Sequence, residues 1–115
     1  MTEEDYGPSF QIIAEAGDSK ACSMNAIKAA RAGDFEAAKA QLKEAGQRLL
    51  KAHRYQTDMI AREAEGNQVP VNIILVHSQD HLTMAMVAED LAQQFFDLYE
   101  QLHQVKKELN ELKQL

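Results

Sequence analysis

A chain of 115 residues fits one ordinary domain and leaves no room for a second core of useful size. With 45% apolar and 26% charged residues, only 2 Pro and 5 Gly, and long tracts of Ala, Leu, Glu, Lys and Gln, it reads as an all-α globular protein and not a disordered one. A formal charge of −6 disfavours nucleic acid; the apolar run Ile73 to Val76 is too short to span a bilayer, and the acidic Met1 to Phe10 segment is unlike a signal peptide, so the expected location is the cytoplasm, without membrane insertion.

Gly7-Pro8-Ser9 followed by Phe10, Ile13, Gly17, Ala21 and Met24 predicts a first helix from about Ser9 to Ala32, with residues 1–8 as a short N-terminal extension. The lone Cys22 on this helix excludes an intrachain disulfide and suggests a small buried side chain. Gly33-Asp34 then reads as a C-terminal glycine and the N-cap of the next helix.

The second helix carries the cleanest pattern: Phe35, Ala38, Leu42, Ala45, Leu49, Ala52, Gln56 and Met59 alternate steps of three and four, a heptad seam with one polar member. Gly66-Asn67 ends it, and Val69-Pro70 enforces extended chain. Asn72 is the expected N-cap of a third helix with no breaker up to Leu115, on the order of 60 Å long. Its predicted seam is Met84, Ala88, Leu91, Phe95, Leu98, Leu102, Val105, Leu109 and Leu112, with more apolar surface on flanking faces than one partner can bury. These patterns predict an up-down-up antiparallel three-helix bundle, one domain over residues 1–115, whose third helix also meets other subunits. Residues 105–115 read as a solvated helical tail.

The chemistry is concentrated in one segment, Leu75-Val76-His77-Ser78-Gln79-Asp80-His81-Leu82. Continued back by one heptad, the third seam places His77 and His81 one turn apart on one face, with Asp80 towards a different side. Three readings compete: half-buried histidines in a non-catalytic helical adaptor; a zinc-binding bundle in which Asp80 or His53 completes the set; and phosphoryl transfer through histidine. The hydrolytic zinc motif needs Glu after its first His, where Ser78 stands, and no glycine-rich loop cradles a nucleotide. A neutral imidazole is a good nucleophile near pH 7, and phosphorus bound to an aromatic nitrogen leaves readily. Gln79 and His81 are candidate donors to the group on His77; His53 is a candidate neighbour and His103 reads as solvated.

The stretch VNIILVHSQDHL, residues 71–82, resembles the lactose/cellobiose IIA family of the sugar phosphotransferase system, whose pattern is an aliphatic run followed by V-H-A-Q-D-H-L. Gly17 with Ala21, Gly33-Asp34-Phe35, Ala52-His53 with Gln56-Thr57, and the stretch from Leu91 to Leu102 extend the likeness over roughly residues 10–104. The resemblance implies a parallel homotrimer with the acceptor, His77, in a groove between subunits. His77 would take a phosphoryl group at Nε2 from the phosphocarrier HPr and give it to a cysteine of the IIB component, in uptake of a disaccharide such as lactose, cellobiose or diacetylchitobiose. His81 and Gln79 would support the acceptor. Asp80 would meet its copies at the threefold axis and share a divalent cation such as Mg2+. Departures are Ser78 for the usual Ala, Thr83-Met84 for Met-Thr, and Gly7-Pro8 where the first helix usually continues.

Overall fold

The computed structural model describes residues 3–115, with side chains from Tyr6 onward. Three helices account for nearly all of it: α1 over Glu3–Arg31, α2 over Phe35–Ala64 and α3 over Ile73–Lys113. No strand occurs among the described residues, and the molecule measures 71 × 21 × 19 Å.

The helix ends follow their local chemistry. Asp34 accepts a hydrogen bond from Ala37 N at 3.1 Å and Asn72 accepts one from Leu75 N at 2.9 Å, each satisfying an N-terminal amide with no intrahelical partner. Gly33 has φ +86 and Gly66 φ +92, the left-handed conformation that ends a helix and that a side chain disfavours. The start of α1 differs from the expected Ser9, because the helix runs through Gly7 and Pro8. Proline removes one amide donor there, but buried Ser9 and Ile12 continue the packed row, and the Tyr6 and Phe10 rings, one on either side of Pro8, keep contact at 6.4 Å. Met1 and Thr2 of the expected extension lie outside the described residues.

The α2 seam is as expected: Ala38, Leu42, Ala45, Leu49 and Ala52 are buried, with Phe35, Gln56 and Met59 half-buried at its ends. The other two helices turn a different row inward. In α1 the buried residues are Ser9, Ile12, Ala16, Ser19, Ser23, Ala26 and Ala30, while Phe10, Ala21 and Met24 are exposed. In α3 they are Ser78, Leu82, Ala85, Ala92 and Phe96, and most of the predicted seam faces outward. The inner rows are built from serine and alanine, which let three helix backbones approach closely; Ser19 Oγ donates to Ala45 O of α2 at 2.7 Å.

Two apolar clusters result. Ile12, Ala16, Leu49, Ala52, Leu82 and Ala85 pack at the end near the start of α3, and Ala26, Ala30, Ala38, Leu42, Ala92 and Phe96 at the other. Residue numbers rise along α1 as they fall along α2, with Glu15 bridged to Arg48 at 3.3 Å and Ser19 bonded to Ala45. They likewise rise along α2 as they fall along α3, with Phe35 edge-on to Phe96 and Gln56 bonded to Gln79. Cys22 is half-buried.

His103 is not a solvated residue. Its ring stands edge-on to Phe35 at 5.2 Å and covers Gly33, where an added Cβ would lie 2.9 Å from its Cε1. Beyond it, every residue of α3 is exposed.

Candidate functional site

The Asn72 cap sets where α3 begins and makes His77 its fifth residue. Val69, buried before Pro70, anchors the connecting loop against the bundle. From that start, the helical repeat places Ser78 and Leu82 inward and leaves His77 on the outer surface.

His77 and His81 meet across one turn. Their Nε2 atoms lie 3.0 Å apart and the rings are perpendicular, with centroids at 4.4 Å. His77 is exposed and His81 half-buried. Exposed Val76 and Met84 flank the pair with apolar surface. The arrangement offers a nucleophilic imidazole in the open, next to a second ring nitrogen able to donate or accept a proton.

Gln79 is placed differently from the expectation that it donates to a group on His77. Two residues along a helix are about 200° around it, so Gln79 faces nearly away from His77. Its Oε1 accepts from Gln56 Nε2 at 2.6 Å and its Nε2 donates to Ser78 Oγ at 3.1 Å. Ser78, fully buried, donates in turn to Leu75 O at 2.6 Å. The amide is committed to a chain tying the end of α2 to the first turns of α3, beside a cleft of about 430 Å3 lined by Met59, Val69 and Leu75. Ser78 therefore belongs to the bundle interior. Sequence reasoning missed Gln56 as Gln79's partner; its signal was the single polar member of the α2 seam.

His53 is half-buried and close enough to Glu89 for their charges to interact. Glu89 lies over Gly46, where an added Cβ would come 3.4 Å from its Oε1. Burial pushes the Glu89 carboxyl above its ordinary value, Asp90 adds to the rise, and His53 opposes it. Among the described residues, no three His, Cys, Asp or Glu side chains form a group that could hold a metal ion, so the single-chain zinc site does not form there.

Asp80 is exposed and makes no hydrogen bond or ion pair among the described residues. It stands one turn before Met84 and flanks the outward apolar row that continues through Leu91, Phe95, Leu98 and Leu102, the row whose preceding heptad holds His77 and His81. No helix among the described residues is long and apolar enough to cross a membrane.

The family of lactose/cellobiose-specific IIA subunits of the PTS matches residues 8–100. The lichenan-specific phosphotransferase enzyme IIA component of Bacillus subtilis is 42% identical over 102 residues, covering 89% of this chain and 93% of that protein. The lactose-specific EIIA component of Lactococcus lactis is 40% identical, covering 78% and 86%. Among solved structures, the cellobiose-specific enzyme IIA of Bacillus anthracis superposes with a TM-score of 0.86 at 32% identity, over 90% of this chain and 94% of that one. The IIA(chitobiose)-HPr complex of the N,N'-diacetylchitobiose branch of the Escherichia coli phosphotransferase system aligns at a TM-score of 0.75 and 33% identity, over 89% and 99%. With the HSQDH segment lying inside the matched range, this chain belongs to the lactose/cellobiose-specific IIA family of the phosphotransferase system.

Proposed function

We propose that the chain is a cytoplasmic phosphoryl carrier that accepts its group on His77 Nε2 from phospho-HPr and delivers it to a cysteine of a IIB component, serving uptake of a disaccharide. The observation that carries this reading is the exposed His77 imidazole held 3.0 Å from His81 Nε2 within the HSQDH segment. The likeness to a IIA protein solved together with HPr supports HPr as the donor.

The chemistry needs only a lone pair at His77 Nε2. With His81 Nε2–H donating to it, the His77 proton sits on Nδ1, the tautomer that leaves Nε2 nucleophilic. As the Nε2–P bond forms, the bond from phosphorus to the donor breaks, and the His81 N–H turns from nitrogen to a phosphoryl oxygen. In the second transfer a IIB thiolate forms a bond to phosphorus while the Nε2–P bond breaks, returning a neutral imidazole. His81 holds and steadies; Gln79 acts indirectly, by fixing the first turns of α3 through Gln56 and Ser78.

The protomer is an up-down-up bundle that assembles as a parallel homotrimer through the outward row of α3. The support is an apolar heptad left uncovered in one chain: Met84, Leu91, Leu98 and Leu102 are all at least 40% exposed. Three Asp80 carboxylates beside the start of that row would hold a divalent cation such as Mg2+, which suits oxygen ligands; bound there it would neutralise their mutual repulsion. It takes no part in the transfer.

To test the carrier role, the protein is charged with phosphoenolpyruvate, enzyme I and HPr, then mixed with a IIB component. The expected result is a mass gain of one phosphoryl group that disappears as IIB gains it. A chain that stays uncharged under conditions that charge a related IIA protein contradicts the proposal.

A further inference from the structure

The ring contact that prepares His77 for transfer has a second chemistry. Two imidazoles four residues apart on one helix are held side by side by the backbone itself, which makes them a ready chelating pair. His77 and His81 present the same atom to each other, Nε2, at 3.0 Å. His77 is exposed, so ions reach the pair from outside the bundle.

The separation selects among ions. Two bonds of about 2.0–2.1 Å to nitrogen span about 2.9 Å when they meet at a right angle and about 3.4 Å when they meet at the tetrahedral angle. The observed 3.0 Å fits the right angle of tetragonal Cu2+ and Ni2+ and falls short of what tetrahedral Zn2+ asks. No third His, Cys, Asp or Glu joins the pair among the described residues, so the remaining positions fall to water. Mg2+ prefers oxygen and keeps its own waters, so it does not compete for two imidazoles. His53 lies by Glu89 and His103 against Phe35, which leaves this as the one histidine pair among the described residues.

The geometry points to a transition-metal clasp, in which His77 and His81 bind one Cu2+ or Ni2+ ion through both Nε2 atoms and so close the acceptor. In the metal-free pair one Nε2 carries the shared proton. On chelation that proton passes through solvent to Nδ1 of the same ring, both rings stay neutral, and the two Nε2 lone pairs form the metal bonds. With its lone pair engaged, His77 Nε2 can form no bond to phosphorus. The chelation stands on the two rings alone; the block on transfer rests on the carrier role proposed above.

Calorimetry with NiCl2, on the full chain without added histidines, tests the binding. One Ni2+ per chain is expected, undisturbed by excess Mg2+. His77→Gln and His81→Gln should each weaken it at least about tenfold, and Asp80→Leu should leave it unchanged. The block is read with preformed phospho-HPr as donor. Acceptance by wild type should fall by half at the Ni2+ concentration that half-saturates it in calorimetry and recover in EDTA, while the slower acceptance by His81→Gln should resist the same Ni2+. Ni2+ that does not bind, or that binds equally to both histidine variants, overturns the clasp. Ni2+ bound at the pair with acceptance unimpeded overturns the block. A metal-free wild type that accepts no phosphoryl group overturns the carrier role and leaves the clasp to the calorimetry.

Discussion

The Nε2 atoms of His77 and His81 face each other at 3.0 Å, a separation at which one ring must donate and the other accept. If His81 is the donor, its replacement weakens a contact to the phosphoryl group without removing the nucleophile. His81→Gln, which keeps an N–H donor, should slow phosphoryl acceptance about tenfold, and His81→Ala about a hundredfold. Rates from a quenched time course with limiting HPr give the answer; a His81→Ala variant as fast as wild type would show that the second ring is idle.

Gly33 carries two separate demands, a φ of +86 and the close approach of His103. Gly33→Ala should cost about 2 kcal/mol, of which about 1 kcal/mol is backbone conformation that persists whatever His103 becomes. A double-mutant cycle with His103→Ala, read by urea denaturation at one protein concentration, separates the two. Full recovery in the double variant would mean that the positive φ carries no cost there.

Glu89 makes stability depend on pH with a known sign. Its carboxyl is raised above 4.5 by burial, so the folded chain holds this proton more tightly than the unfolded one. Stability should then be greatest below pH 4.5 as far as this group is concerned, and fall as pH rises from there through the raised folded value. Glu89→Gln keeps the shape over Gly46 and should melt higher than wild type at pH 7, with the difference vanishing below pH 4.5. A lower melting temperature at pH 7 would mean that the charged Glu89 has a favourable partner.

How far the sequence carries depends on the row of each helix. The α2 seam is legible because most of its apolar residues share one face, with only Leu50 and Ile60 among the large ones standing exposed off it. In α1 and α3 two rows compete, and the larger apolar residues drew the seam to the wrong one. Ser9, Ser19, Ser23 and Ser78 look polar in sequence but are buried, because close helix packing rewards small size. The row left outside on α3 is the more hydrophobic, which is intelligible once a partner is added. The caps Asp34 and Asn72, the glycine turns and the His77–His81 turn pair followed from local chemistry. The facing of Gln79 away from His77 follows from helical spacing as well, but its bond to Gln56, the place of His103 over Gly33 and that of His53 by Glu89 do not, since each is a contact between separate elements.

Asp80 is exposed beside the outward apolar row, with no hydrogen-bond or ion-pair partner among the described residues. If three copies meet at the axis, Asp80→Leu removes repulsion and cation together, and the assembly should be at least as stable as wild type. Wild type should loosen in EDTA and the Leu variant should not, as followed by thermal denaturation at matched concentrations. A wild-type assembly indifferent to EDTA combined with a dissociated Leu variant would place Asp80 in some other contact.

The central claim is that one nitrogen on one residue carries the group. Charging wild type, His77→Gln and His81→Gln with phosphoenolpyruvate, enzyme I and HPr, followed by digestion at alkaline pH and peptide mass mapping, locates the phosphoryl directly. The account predicts one phosphoryl on His77 in wild type and in His81→Gln, and none anywhere in a His77→Gln chain of unchanged helicity. A phosphoryl found on His81, or a His77→Gln chain that still charges, would contradict it.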